Sequence, residues 1–241
     1  MKLLVLSDIH ANLSALTSVL NDAKKYNIDK LILLGDHIDY GMRPNETIDL
    51  LKELPFPIDI NIWGNHEKAI IDGKLDRFSS DRGREFSRFT SQILNKSSLD
   101  YINKEMRMDG FSENTYNGKQ YLIIHGSLED TFWKSVSPEN TGEQYIKYDF
   151  VLSGHSHIPY YLEKYYKTEN TDTHGRKRTV FINPGSVGQP RNHNPRACYA
   201  VIDTEAEWVH LNNVIYDIKA EQALYGKNVH DFYRTRLEKG I

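Results

Sequence analysis

Apolar and polar positions alternate along this chain in blocks that lay out its elements. Residues 3–6 carry an unbroken apolar run of strand character, within a first strand expected over residues 2–6. The spacing then becomes helical. Leu13, Leu16, Val19 and Leu20 share one face of a helix predicted over about 12–26, with Asn12 as its N-cap. A second strand is expected at 30–34, a helix at 46–54 ended by Pro55 and Pro57, and a third strand at 58–63. This β-α-β-α-β opening predicts a mostly parallel first sheet.

Residues 66–104 read as largely helical, divided by the polar stretch 76–84, and this segment stands where it can overhang a site. Arg77, Arg82, Arg84 and Arg88 lie there near Phe78, Phe86 and Phe89, as an overhang or as a solvated helix face. From Met106 onward strands dominate. Thr115-Tyr116 and residues 120–124 flank Asn117-Gly118-Lys119, and Asn-Gly is a strong hairpin signal. Further strands are predicted at 150–152, 160–165, 179–182, 197–203 and 208–215, before a terminal helix at about 217–225. Two mixed β-sheets packed face to face with helices outside, an α/β arrangement, accommodate this order. With 241 residues and no internal repeat or long linker, the expectation is one domain over 1–241.

Composition narrows the partners. Thirty basic against 33 acidic residues leave a formal charge of −3, so the overall basic surface that a nucleic-acid polymer needs is missing. Asp8 and His10 interrupt the apolar N-terminus far short of a signal peptide or membrane span. The single cysteine, Cys198, cannot form an internal disulfide and reads as a small buried hydrophobe. A cytoplasmic protein with no membrane partner is expected; oligomeric state is left open.

Five blocks of metal-binding side chains follow apolar strands in turn: Asp8-Ile9-His10, Gly35-Asp36, Gly64-Asn65-His66-Glu67, His125-Gly126 and Gly154-His155-Ser156-His157. The ligands are therefore expected at strand ends along one sheet rim. Hydrolysis of a phosphate ester near neutral pH calls for a nucleophile stronger than water and for positive charge around an anionic transition state. Two cations about 3.5–4 Å apart provide both. Asp36, alone at its strand end, is the natural shared carboxylate. The one-residue gaps in Asp8-Ile9-His10 and His155-Ser156-His157 are expected to turn alternate side chains to one side of an extended backbone. A mixed His, Asp and Asn shell suits borderline transition metals, so two divalent or mixed-valence ions are expected, Mn or Fe favoured and Zn or Ni compatible. His66 opens the next helix and suits contact with a phosphate oxygen or protonation of a leaving alkoxide, with Asp39 as the carboxylate that holds it. His37, His174, His193, His210 and His230 lack such context and read as packing or surface residues.

These blocks together resemble the calcineurin-like metallophosphoesterases, over nearly the whole chain. The stretches Ser7–Leu13, Asp39–Glu46, Asn183–Arg191 and Asn194–Ala197 resemble a compact prokaryotic, phosphodiesterase-like subgroup. The resemblance implies a four-layer αββα sandwich in which Asp8, His10 and His157 hold one metal, Asp36 bridges, and Asn65, His125 and His155 hold the other. His66 is then the catalytic histidine. The spacing Asp36-His37-Ile38-Asp39 is similar to a protein-phosphatase segment whose second Asp orients that histidine, whereas Tyr40 replaces the arginine that follows there. Many members of the smaller subgroup carry glycine in place of that second Asp. The glycine turn around Ser186 serves either a tight bend or a row of backbone N–H groups bordering the metals.

The function expected is hydrolysis of small phosphodiesters or nucleotide-like compounds by a metal-activated hydroxide, dinucleoside polyphosphates such as diadenosine tetraphosphate included by analogy. Asn65, Tyr40 and Arg191 are the expected substrate contacts, Arg191 because its planar fork binds two phosphate oxygens. A phosphomonoesterase or Ser/Thr protein phosphatase is the alternative, and a metal-free binding scaffold a further one.

Overall fold

The computed structural model describes residues 1–54, 56–169 and 174–241; Pro55, expected to help end the second helix, lies outside them. Among the described residues, ten strands form two five-stranded sheets. The first is built from β1 (Lys2–Leu6), β2 (Lys30–Leu33), β3 (Ile58–Asn61), β9 (Ala197–Asp203) and β10 (Trp208–Val214), in the order β10-β9-β1-β2-β3. Its first three strands are parallel, as the β-α-β-α-β opening predicts. β9 and β10 return antiparallel, which makes the sheet mixed. The second sheet holds β4 (Phe111–Tyr116), β5 (Lys119–Ile124), β6 (Phe150–Ser153), β7 (Tyr160–Lys167) and β8 (Arg176–Asn183), in the order β4-β5-β6-β8-β7. The Asn117-Gly118 turn joins β4 to β5 as expected, both residues having positive φ.

The alternation of side chains along each strand explains the layering. Leu3 and Val5 of β1 and Ile32 of β2 face the second sheet, whose Tyr121, Ile123, Leu152 and Ile182 complete the core between the sheets. Leu4 and Leu6 face outward onto α1 (Leu13–Ala23), whose Leu16 and Val19 pack against them. Both faces of β1 are thus buried from Leu3 to Leu6, which is why those four residues are all apolar. α2 (Pro44–Lys52), α3 (Asn65–Ile71), α4 (Asp81–Ile93) and α5 (Lys96–Lys104) follow the strands of this half. The outer face of the second sheet is covered by Val136, Tyr145 and Tyr148 from short 3-10 turns and the loops around them. Two mixed sheets flanked by helical layers give the expected sandwich, the layer over the second sheet being built of 3-10 turns and loops.

Several boundaries differ from the sequence pattern for local reasons. α2 begins at Pro44 because proline suits the first turn of a helix. β3 ends at Asn61, since the next residues leave the sheet to pair with Arg107, whose carbonyl accepts the Trp63 N–H at 2.9 Å. The terminal helix is shorter than expected, α6 (Ile218–Gln222), and a further turn, α7 (Phe232–Thr235), follows it.

Candidate dinuclear metal site

The five blocks converge, but on a rim shared by two sheets rather than on one. Asp8 and His10 follow β1, Asp36 follows β2, and Asn65 and His66 open α3, all from the first sheet. His125 follows β5 and His155 and His157 follow β6, from the second. The expectation of extended backbone at the one-residue gaps is corrected as well: Asp8, His10, Asp36, Asp39, Tyr40, His155 and His157 all have φ between 48° and 71°. Left-handed backbone is sparsely populated for residues other than glycine, with Asp, Asn and His most tolerant of it. Here it turns the chain sharply at each strand end and aims the side chain back into the rim. Strain of this kind collects at functional sites.

Two groups result. Ligand-type atoms of Asp8, His10, Asp36 and His157 lie within 4.8 Å of one another, and so do those of Asp36, His125 and His155. Asp36 belongs to both, as its isolated position suggests. Asn65 joins the second, its Oδ1 3.0 Å from His125 Nε2 and 2.9 Å from His155 Nδ1.

Hydrogen bonding at the back of the site fixes which atoms face its centre. Nδ1 of His10, His125 and His157 donates to the carbonyls of Ile38, Leu34 and Gln189 at 3.3, 2.7 and 2.7 Å. The tautomer so assigned leaves Nε2 of each ring with a bare lone pair. His10 Nε2 and His157 Nε2 stand 3.2 Å apart. Oδ2 of Asp8 accepts from Ser7 Oγ and the His155 N–H, and Oδ1 of Asp36 accepts from the His66 N–H. The other oxygens, Asp8 Oδ1 and Asp36 Oδ2, are buried without a donor. Lone pairs of two imidazoles and two carboxylates therefore point at one another, an arrangement that costs several kcal/mol unless a cation lies between them.

Charge at the site agrees. Burial, then Glu67 and Asp8, pushes the Asp36 carboxyl well up. Burial would raise Asp8 too, but His157 first, with His125 and His10, brings it well below the usual carboxylate range. Burial lowers His155 to about 3, with His125 adding to it, and His157 to about 4, with Arg191 adding to it. Neutral imidazoles facing uncompensated carboxylates fit divalent cations.

His66 belongs to neither ligand group. Its Nδ1 is 2.6 Å from Oδ2 of the buried Asp39, and its Nε2 faces the cleft, 3.9 Å from Asp36 Oδ2. Asp39 is saturated: Ser87 Oγ donates to Oδ2, while Thr90 Oγ1 at 2.7 Å and the Tyr40 N–H at 2.9 Å donate to Oδ1. Ser87 and Thr90 lie on α4, within the overhanging segment, and nothing in the local sequence marked them. Glu67 is buried at the end of the third block. Its carboxylate accepts from the backbone N–H groups of Gly64, Asp36 and His37 at 2.8, 2.9 and 2.7 Å, which locks the β2 and β3 termini together. A glutamate three residues after an N-cap is the available signal for such a role.

The cleft over the site measures about 430 Å³ and is lined by Tyr40, Asn65, His66, Arg77, Phe78, Trp133 and Arg191 among others. The three expected substrate contacts therefore meet there, and Arg191 Nε is buried without a partner. A larger groove of about 690 Å³ runs beside β3, but no histidine lines it and its Asp59 is paired with Lys30. The overhanging arginines divide: Arg77 reaches the cleft, Arg84 is bound to Asp81, and Arg82 sits over Phe232, 4.0 Å from the ring centroid. The turn around Ser186 does not present free N–H groups to the centre. Val187 and Gly188 donate theirs to the carbonyls of Ser7 and Asp8, so the turn braces the Asp8 backbone. His37 is buried with Nε2 2.8 Å from Asn61 Oδ1, and His174, His193, His210 and His230 are exposed, as their lack of context suggested.

A two-sheet sandwich with such a cluster on its shared rim is the architecture of a metal-dependent phosphoesterase. The calcineurin-like phosphoesterase superfamily domain matches residues 1–207, and the chain belongs to that family. It is 29% identical over 231 residues to an uncharacterized protein of Methanocaldococcus jannaschii, a match spanning 93% of this chain and 91% of that one. A metallophosphoesterase from Sphaerobacter thermophilus superposes with a TM-score of 0.76 at 28% identity, covering 100% of both chains. A hypothetical protein from Pyrococcus horikoshii OT3 gives 0.80 at 20% identity, over 100% and 98%. Family members are dimetal-dependent hydrolases. Among the described residues, no helix is long and apolar enough to cross a membrane.

Proposed function

We propose that the protein is a phosphodiesterase acting on small phosphodiesters or nucleotide-like substrates. The observation that carries this is the pair of donorless buried oxygens, Asp8 Oδ1 and Asp36 Oδ2, facing three Nε2 lone pairs beside an anchored histidine. Asp8, His10 and His157 would hold one ion and Asn65, His125 and His155 the other, with Asp36 shared. Mn and Fe are favoured, and Zn or Ni are compatible with the same donors. Ions held there supply a nucleophile at neutral pH and offset the charge of the transition state.

The chain's own groups do the rest. Asp39 orients His66, whose Nε2 can give a proton to the leaving oxygen at the cleft wall. Tyr40 packs against the His66 ring, 4.4 Å between centroids, and keeps it upright. Asn65 can donate its amide to a phosphate oxygen, and Arg191 can hold another. Arg77 and Arg191 are the cleft's arginines, and Tyr40 stands where protein phosphatases place one more. Two cationic contacts suit a monoanionic diester better than a dianionic monoester.

The reading extends to one catalytic unit over 1–241, since residues beyond 207 touch the site: Tyr233 stacks on Tyr40 with 4.6 Å between centroids. It also includes the cytoplasm, where the buried thiol of Cys198 stays reduced. A panel of monoesters, diesters and dinucleoside polyphosphates, run with Mn and with product identification, tests the proposal. Diester cleavage is expected to exceed monoester cleavage, and the opposite ranking would overturn it.

A further inference from the structure

Resting on the phosphodiesterase reading, the geometry points to a subsite for one flat aromatic ring, in the leaving group of the substrate, formed by Phe78 and Trp133. Phe78 lies just before α4, and its ring centroid is 4.7 Å from that of His66. Trp133, from the loop after β5, meets Phe78 edge to face at 5.5 Å and 75°. Arg77 places its guanidinium 5.0 Å from the centre of the indole. An aromatic wall therefore begins at His66 and runs outward along the cleft, and both rings line it.

Position assigns the wall to the leaving group. Arg191 adjoins His157, its backbone N–H donating to the His157 carbonyl, and its charge bears on His10 and His157. A phosphoryl group centred on the ligand cluster thus has Arg191 beside His157 and the aromatic wall beside His66. The oxygen that takes a proton from His66 Nε2 must lie on the His66 side, and whatever that oxygen carries continues past Phe78 to Trp133. Ring faces and a guanidinium favour a flat π-system over a saturated group of equal size. The cleft's 430 Å³ is near the low end of the ~300–1,000 Å³ typical of ligand pockets. It accommodates one ring system and its phosphate, so an aryl or single-nucleoside leaving group fits, and the second half of a dinucleotide would lie outside.

The test uses two diesters of similar size whose leaving groups are flat or saturated, benzyl methyl phosphate and cyclohexylmethyl methyl phosphate, with the Mn-loaded full-length protein; Trp133→Leu controls for their difference in leaving-group acidity. Wild type is expected to favour the benzyl ester about tenfold in kcat/KM, the scale of one ring stacked on an aromatic side chain. Trp133→Leu should bring the ratio close to one, and Trp133→Phe should keep most of it. In parallel, calorimetry on the Zn-loaded protein compares benzylphosphonate with cyclohexylmethylphosphonate, and the same loss of preference in Trp133→Leu is expected in Kd. If neither diester is cleaved but the preference in Kd is present and Trp133-dependent, the subsite stands and the esterase reading fails. Equal treatment of both pairs by wild type, or a preference that survives both Trp133→Leu and Phe78→Leu, overturns the subsite.

Discussion

His66 Nδ1 lies 2.6 Å from Asp39 Oδ2, and three further donors, Ser87, Thr90 and the Tyr40 N–H, fill the remaining lone pairs of that carboxylate. A carboxylate held from four directions cannot swing, so the imidazole it binds keeps one tautomer and one orientation. Replacing His66 with Ala is expected to lower turnover by roughly 10²–10⁴ with metal content retained. Asp39→Asn should cost less, because orientation is weakened while the imidazole remains. Steady-state kinetics with metal analysis decides: unchanged turnover in His66→Ala would remove that residue from the mechanism.

Asp36 is the one carboxylate common to both ligand groups, whereas Asp8 belongs to one. Asp36→Ala should therefore lose both metals, and Asp8→Ala chiefly one. Metal-to-protein ratios by mass spectrometry would show it. Equal losses in the two variants would refute the sharing of Asp36.

Gly64 faces Asp36 so closely that an added Cβ would fall 2.0 Å from its Oδ1, and Gly35, at φ +88°, packs against Gly64 from the turn after β2. Gly64→Ala is expected to displace Asp36, lower metal content and destabilise the fold by roughly 1–3 kcal/mol, the usual range for overpacking. A variant with native melting temperature and full metal content would show that the contact relaxes freely.

Acid should destabilise the metal-stripped protein. His155 near 3 and His157 near 4 sit below the unfolded value of 6.5, and burial also lowers His10 and His125. Between the folded and unfolded values the unfolded chain binds more protons, so stability rises with pH across that window and falls as pH drops from about 6.5 toward 4. Asp36 works in the opposite direction, since its raised pKa favours the folded state below that value. Four histidines outweigh one carboxylate. Melting of chelator-treated protein from pH 7 to 4.5 should show a falling Tm, with a shallower fall in the His155→Gln, His157→Gln double variant.

The last segment of the chain braces the site from behind. Tyr225 Oη donates to the Tyr40 carbonyl at 2.8 Å, and Arg236 donates to Gln189 Oε1 at 3.0 Å, the same Gln189 whose carbonyl holds His157. Arg236→Gln should speed metal loss to a chelator while circular dichroism stays native. A loss rate equal to wild type would confine the tail to a packing role.

Hydrophobic periodicity and five short blocks determined the two-sheet architecture, the ligand-type residues and the place of His66, because strand burial and metal chemistry each demand particular residues at local spacing. The Asp39–His66 pair was legible too, since both lie next to strand-end blocks. The chain's local pattern could not show that the rim is shared by two sheets, or that left-handed backbone aims Asp8, His10, His155 and His157 inward. Nor could it show that Ser87, Thr90 and Trp133 reach the site or that Arg236 braces it through Gln189. Those contacts join residues far apart in sequence, and only the packing of one sheet on the other, with α4 and the tail laid across their rim, brings the atoms within hydrogen-bonding or stacking range.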